Sequence, residues 1–155
     1  MSVTEWLHAL ETTALAVALR DSVWAYPLVN AAHLLGVALL VGGIVPLDLR
    51  LVGFWRTVPV ADLARVLRGV AASGLFLALL AGALLFATRA AEYAASPYFL
   101  AKMGVVCVGG VNALLATRWP PERLSKAGYR AAAVAVVSIL SWISALVLGR
   151  LVGYF

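Results

Sequence analysis

The chain has one cysteine, Cys107, and two histidines, His8 and His33, in 155 residues. A single cysteine excludes an intrachain disulfide and a CxxC redox centre. Charge is scarce too: Asp, Glu, Lys and Arg make up 12% of the residues, against about a quarter in a soluble domain. With 64% hydrophobic residues and a mean hydropathy of +0.99, this excludes a soluble enzyme, a disordered tail and a disulfide scaffold. No Asp or Glu falls in the middle of an apolar run, so the carboxylate of a small proton-coupled exporter is expected to be missing. No Ser/His/Asp set, HExxH motif or phosphate loop is present, and nothing supports hydrolase chemistry.

Long apolar runs are what the chain does have. Crossing the hydrocarbon takes about 20 apolar residues in a helix. Four runs qualify, over 22–47, 69–88, 97–117 and 131–149. In lipid every backbone polar group must be satisfied internally, so each run reads as a helix. The expected fold is all-α: one domain over residues 1–155, a four-helix transmembrane bundle with an amphipathic helix over 4–20 in the membrane interface. Ser2 with Glu5 forms a capping box for that helix. Trp6, Leu7, Leu10, Ala14 and Val17 make its apolar stripe, and its second half can also pack on the bundle. Asp21 and Ser22 cap the first span, Ser96-Pro97 opens the third, and Pro120-Pro121 stops it. Pro46 is expected to kink the first span near its end.

Glu5 and Glu11 precede the first basic residue, Arg20, so no cleavable signal peptide is expected. The net charge of +5 comes from basic residues placed between apolar runs. That is the footprint of membrane topology, and nucleic acid is not an expected partner. Arg50, Arg56, Arg65, Arg68, Arg118, Arg123, Lys126 and Arg130 flank one side, against Arg20, Arg89, Lys102 and Arg150 on the other, eight against four. The positive-inside rule then puts both termini outside the cytoplasm.

Small residues recur where helices must approach: Gly74, Ala78 and Gly82 on the second span, Gly109 and Ala113 on the third, and Ser138, Ser141 and Ser144 on the fourth. Polar residues at depth are few. His33 lies nine residues past Trp24, roughly 14 Å along the helix, near the middle of the membrane. Asn30 shares its face, and Gly36 leaves room beside the ring for a flat ligand or another helix. This makes His33, with Asn30 and Gly36, the candidate cofactor-binding set, and His33 the candidate metal or haem ligand or proton-handling group. A neutral histidine hydrogen-bonded across the bundle is the plain alternative. Haem with two histidines needs a second inward one, and His8 lies on the polar side of its helix. Met103 or Cys107 are the other donors. Asp48 and Arg50, at the end of the first span, read as an ion-pair switch or docking site, or as interfacial anchors with Arg50 snorkelling to phosphate. Lys102 reads as a snorkelling residue and Asn112 as an interhelical hydrogen-bond donor.

The stretch YPLVNAAHLLGVALLVGGIVPLDLRLVG, Tyr26 to Gly53, resembles a family of small, uncharacterised bacterial inner-membrane proteins with a YP…HxxG…G…DLRLxG signature. Tyr26, Pro27, His33, Gly36, Gly42, Asp48, Leu49, Arg50, Leu51 and Gly53 occupy its positions, and AASGLFLALLAGALLF and KMGVVCVGGVNALL are similar to later parts of the family. That family is itself distantly reminiscent of four-helix membrane b-type cytochromes and copper-resistance D proteins. The resemblance implies four helices, an inner-membrane location and a role for His33, without supplying an activity. This chain has no histidine at the end of its third span, where LLATRW stands, unlike a di-haem arrangement.

Three readings follow. The first is a non-enzymatic ligand-binding or accessory subunit organised around His33, in contact with lipid and with other membrane subunits or a second copy. The second is an electron carrier with one b-type haem on His33. The third is a copper or solute translocation module working as an oligomer.

Overall fold

A computed structural model describes residues 2–124 and 128–154. Lys126, counted above among the flanking charges, lies outside them. The described residues form eight helices and no strand: α1 (Val3–Glu11), α2 (Ala14–Asp21), α3 (Ala25–Val52), α4 (Val60–Thr88), α5 (Ala90–Ala95), α6 (Pro97–Thr117), α7 (Pro121–Leu124) and α8 (Tyr129–Leu151). Helices α3, α4, α6 and α8 are long and apolar enough to cross a membrane. The chain is therefore a multi-pass, all-helical membrane protein.

Two of the spans are longer than their apolar runs. α3 does not stop at Leu47; it continues through Pro46 to Val52 and ends where Gly53 takes a φ of 120°. α4 begins at Val60 and so carries Asp62, Arg65 and Arg68 on its first turns. At 1.5 Å per residue both exceed about 40 Å, more than the hydrocarbon thickness of about 30 Å. Charged and apolar residues therefore alternate along helix that emerges from the bilayer or packs on its neighbours there.

In lipid, helices associate by close packing more than by hydrophobic burial. α3 and α4 make the most extensive contact. Gly36, Leu40, Gly43 and Leu47 face α4, and Ala64, Ala71, Gly74 and Ala78 face back. α8 packs on the other side of α3 and carries α6 on its far flank. Trp142, only 3% exposed, is the hub of this row. It packs with Leu40 of α3 and Ala71 of α4, and a Cβ at Gly109 of α6 would lie 3.1 Å from its ring. Ser138 and Ser141 lie buried on the same stripe, but Ser144 is exposed. The buried positions of α8 advance by three and four residues, through Ser138, Ser141, Trp142 and Ala145, whereas a strict repeat of three drifts off the face.

The N-terminal segment is two helices, not one. The Ser2–Glu5 capping box opens α1. Thr12 ends α1, and Thr13 caps α2 by accepting from the Ala16 N–H at 3.3 Å. The bend folds the segment over one end of the bundle, where α1 packs on α5 and α4, and α2 on α4 and α3. Two side chains tie it down. Glu11 Oε1 accepts from the Ala91 N–H at 2.8 Å, capping α5, and Arg20 Nη1 donates to the Thr88 carbonyl at the end of α4. Beside them Phe86, Tyr93 and Phe99 stack with centroids 5.4–6.3 Å apart. Exposed aromatics mark both ends of the bundle, Trp6, Trp24 and Tyr154 at one and Phe54, Trp55 and Tyr129 at the other, as an interfacial belt requires.

Candidate functional site

His33 sits in the first third of α3 with its ring against α4. Its Nδ1 lies 2.8 Å from the carbonyl oxygen of Ala78. A carbonyl only accepts, so Nδ1 must carry the proton and donate. In the neutral ring this leaves Nε2 with a bare lone pair. The ring fits because Gly82, one turn beyond Ala78, has no side chain: a Cβ there would lie 3.1 Å from Cε1 and 3.2 Å from Nδ1. The small residues of α4 thus serve two ends, backbone contact at Gly74 and Ala78 and a seat for the imidazole at Gly82.

The space beside Gly36 is taken by a helix. A Cβ at Gly36 would lie 2.5 Å from the Ala78 nitrogen and 2.9 Å from the Gly74 oxygen. Of the two occupants expected there, α4 fills the gap and leaves no slot for a flat ligand. Asn30 is exposed and is not drawn into a hydrogen bond with His33. Lys102 lies along α8, its Nζ 3.4 Å from where a Cβ on Gly149 would be. Its stem and amine pack there near the end of α8.

The donors that a second axial ligand would need are elsewhere. His8 is on α1, its Nδ1 3.5 Å from Glu11 Oε2 and its side chain 64% exposed. Met103 and Cys107 are exposed on α6, which packs on α8 and α5. Among the described residues no three His, Cys, Asp or Glu side chains come close enough to hold a metal ion. A haem held by two side chains of one chain does not fit this arrangement.

At the opposite end of the bundle the structure assembles a polar centre that the sequence reading did not foresee. Asp48 is 3% exposed. It lies just past the run expected to span, in the last turns of α3, and is buried there against the neighbouring helices. It lines a cavity of about 30 Å³ together with Arg68 of α4, Asn112 of α6 and Ser138 of α8. Ser138 of α8 is the hydroxyl that shares this cavity with it. Asn112 Nδ2 donates to the Val134 carbonyl at 3.1 Å, the interhelical hydrogen bond expected of it. Arg68 donates from Nη1 to Trp119 O at 2.9 Å and from Nη2 to Ala116 O at 3.0 Å, closing the C-terminus of α6.

Asp48 and Arg50 do not pair with each other. Arg50 turns into the loop after α3 and donates to the carbonyls of Val58 at 2.7 Å and Arg56 at 3.0 Å. Two residues on a helix are about 200° apart around its axis, so one side chain enters the bundle while the other leaves it. The signal available in the sequence was Asp48 at four residues from Ile44 and three from Leu51, both of which border its cavity.

No protein-family model, curated protein or solved structure matches the chain.

Proposed function

We propose that this chain is a small, non-enzymatic subunit of the bacterial inner membrane that binds a ligand or a partner through His33. The observation that carries this reading is the His33–Ala78 hydrogen bond. It fixes the neutral tautomer and leaves Nε2 as an acceptor at membrane depth, where polar atoms are costly and usually functional. A ring held this way accepts a hydrogen bond from a partner helix or ligates an ion brought by one.

The haem alternative uses the same nitrogen and would need its second ligand from outside this chain. A visible spectrum of protein purified from haem-replete cells separates the two. The accessory reading expects a colourless protein, and a Soret band that disappears in His33→Ala would overturn it in favour of haem. In the colourless case, nitrogen NMR should report the Nδ1–H tautomer for His33, with Nε2 shifting when the partner or ligand is present.

We also propose that both termini face out of the cytoplasm. Supporting this, Arg50, Arg56, Arg65, Arg68, Arg118, Arg123 and Arg130 gather at the end of the bundle opposite the α1–α2 platform. A reporter fused after Phe155, itself outside the described residues, is expected to be active only outside the cytoplasm. Activity in the cytoplasm would reverse the orientation.

A further inference from the structure

The Asp48 centre is distinct from His33. Asp48 is 15 positions further along α3, roughly 22 Å away along the axis. Four facts define it. First, its carboxyl is taken out of water by five elements: α3 itself, α4, α6, α7 and α8 all border the cavity. Second, its Oδ2 has no hydrogen-bond partner among the described residues.

Third, among the described residues no cation pairs with it. Among the described residues Arg68 is the one charged side chain that lines the cavity from a neighbouring helix. Its Nη1 and Nη2 donate to the carbonyls of Trp119 and Ala116, and among the described residues it makes no ion pair with Asp48. α6 and α8 offer only the neutral Asn112 and Ser138, and α7 offers Leu124. A buried carboxylate without a counter-charge costs several kcal/mol, whereas the neutral acid needs only hydrogen bonds.

Fourth, the cavity has a neighbour. A second cavity of about 130 Å³ is lined by Arg50, Leu51, Val60, Leu124, Gly128 and Ala131. Leu51, Leu124 and Ala131 border both cavities. They stand between the loop end of the bundle, where Arg50 lies, and the carboxyl within.

We propose that Asp48 is a proton-binding site, reached from the loop end of the bundle through the Arg50 cavity, with the Ser138 hydroxyl of α8 beside it in the same cavity. A proton needs no further ligands, whereas a metal cation takes about six oxygen donors, more than the few polar groups lining this cavity of about 30 Å³ supply, so a proton fits better. Released of its proton, Asp48 carries an unpaired charge at the seam of α3 with α8. The seam must then open toward the second cavity to hydrate it. Proton binding thus sets whether the loop end of the bundle is closed or open.

The experiment is labelling of the purified full-length protein with dicyclohexylcarbodiimide, which modifies protonated carboxyls in apolar surroundings, followed by peptide mass spectrometry. The expected result is an adduct on Asp48 whose formation falls at least about tenfold from mildly acidic to alkaline buffer as the acid form is lost. An Asp48 adduct independent of pH, or modification confined to exposed carboxyls such as Asp62, would overturn the proposal. Protection of Asp48 by sodium at fixed pH would also overturn it, in favour of a metal-cation site. The wild-type protein suffices for these measurements. Where Asp48→Asn folds, an infrared difference spectrum should show loss of a carboxylic-acid carbonyl band, and loss of a carboxylate band instead would count against the assignment.

Discussion

Gly36 and Gly74 meet backbone to backbone where α3 crosses α4. A Cβ on Gly36 would lie 2.9 Å from the Gly74 oxygen, and one on Gly74 would run into the Leu40 nitrogen. Neither obstacle is a side chain that can swing away. Gly36→Ala and Gly74→Ala should therefore each destabilise the folded bundle by about 1–3 kcal/mol, the usual cost of overpacking. Gly42, Gly104 and Gly110 have open space around them. Alanine there should be neutral or stabilising by up to about 1 kcal/mol, because it favours the helix. Denaturation in mixed detergent, followed by circular dichroism, distinguishes the two sets.

Arg68 holds the end of α6 by satisfying the carbonyls of Ala116 and Trp119. Arg68→Ala leaves both acceptors without that donor and should cost about 1–2 kcal/mol, the range for hydrogen bonds to a charged group that remains partly hydrated. Arg68→Lys cannot span two carbonyls with a planar fork and should recover only part of this. Faster trypsin cleavage at Arg118 in the alanine variant is the direct readout.

Glu11 reaches across 80 positions to cap α5 at Ala91. Glu11→Ala should loosen the α1–α2 platform by about 1 kcal/mol, as loss of an N-cap does. Glu11→Gln keeps an oxygen acceptor and should fall between. Hydrogen exchange at the Ala91 amide should rise in the alanine variant, with the core amides of α4 unchanged.

Tyr93, on α5 outside the spanning helices, titrates late. Burial, and then the neighbouring Tyr26, push its phenol above the ordinary value of 10.0. The folded state therefore holds this proton more tightly than the unfolded chain does. Its contribution to stability is complete below the ordinary tyrosine range and is lost as pH rises through the folded-state value. A phenolate absorbance titration should show one late tyrosine that disappears in Tyr93→Phe.

Much of the architecture was readable because bilayer thickness and helix geometry leave few choices. α6 begins at Pro97 and ends at Thr117, as Ser96-Pro97 and the later prolines require. Two departures have one cause each. The Thr12–Thr13 bend was hidden because an apolar stripe continues in register across it, and only the capping hydroxyl of Thr13 breaks the helix. The ends of α3 and α4 nearest the loop that joins them were cut short because charge was taken as the end of a span. Asp48 and Arg68 are charged residues that the bundle uses inside itself, and only tertiary packing distinguishes these from charges that face water. His33 was legible as a polar group at depth. Its seat on Gly82 and its bond to Ala78 were not, since they depend on which way α3 is rotated against α4.

Within α6 only Gly109 is buried among 21 residues. Its main lateral neighbour is α8, which comes later in the chain. During synthesis α3 and α4 can zip together as soon as both have emerged, since they are sequential and complementary. α6 leaves the ribosome with Lys102 and Asn112 already in place and no shelter for either. Its residence in the membrane before α8 arrives is thus the exposed interval of biogenesis, and the part of the chain that most needs α8 is the helix made just before it.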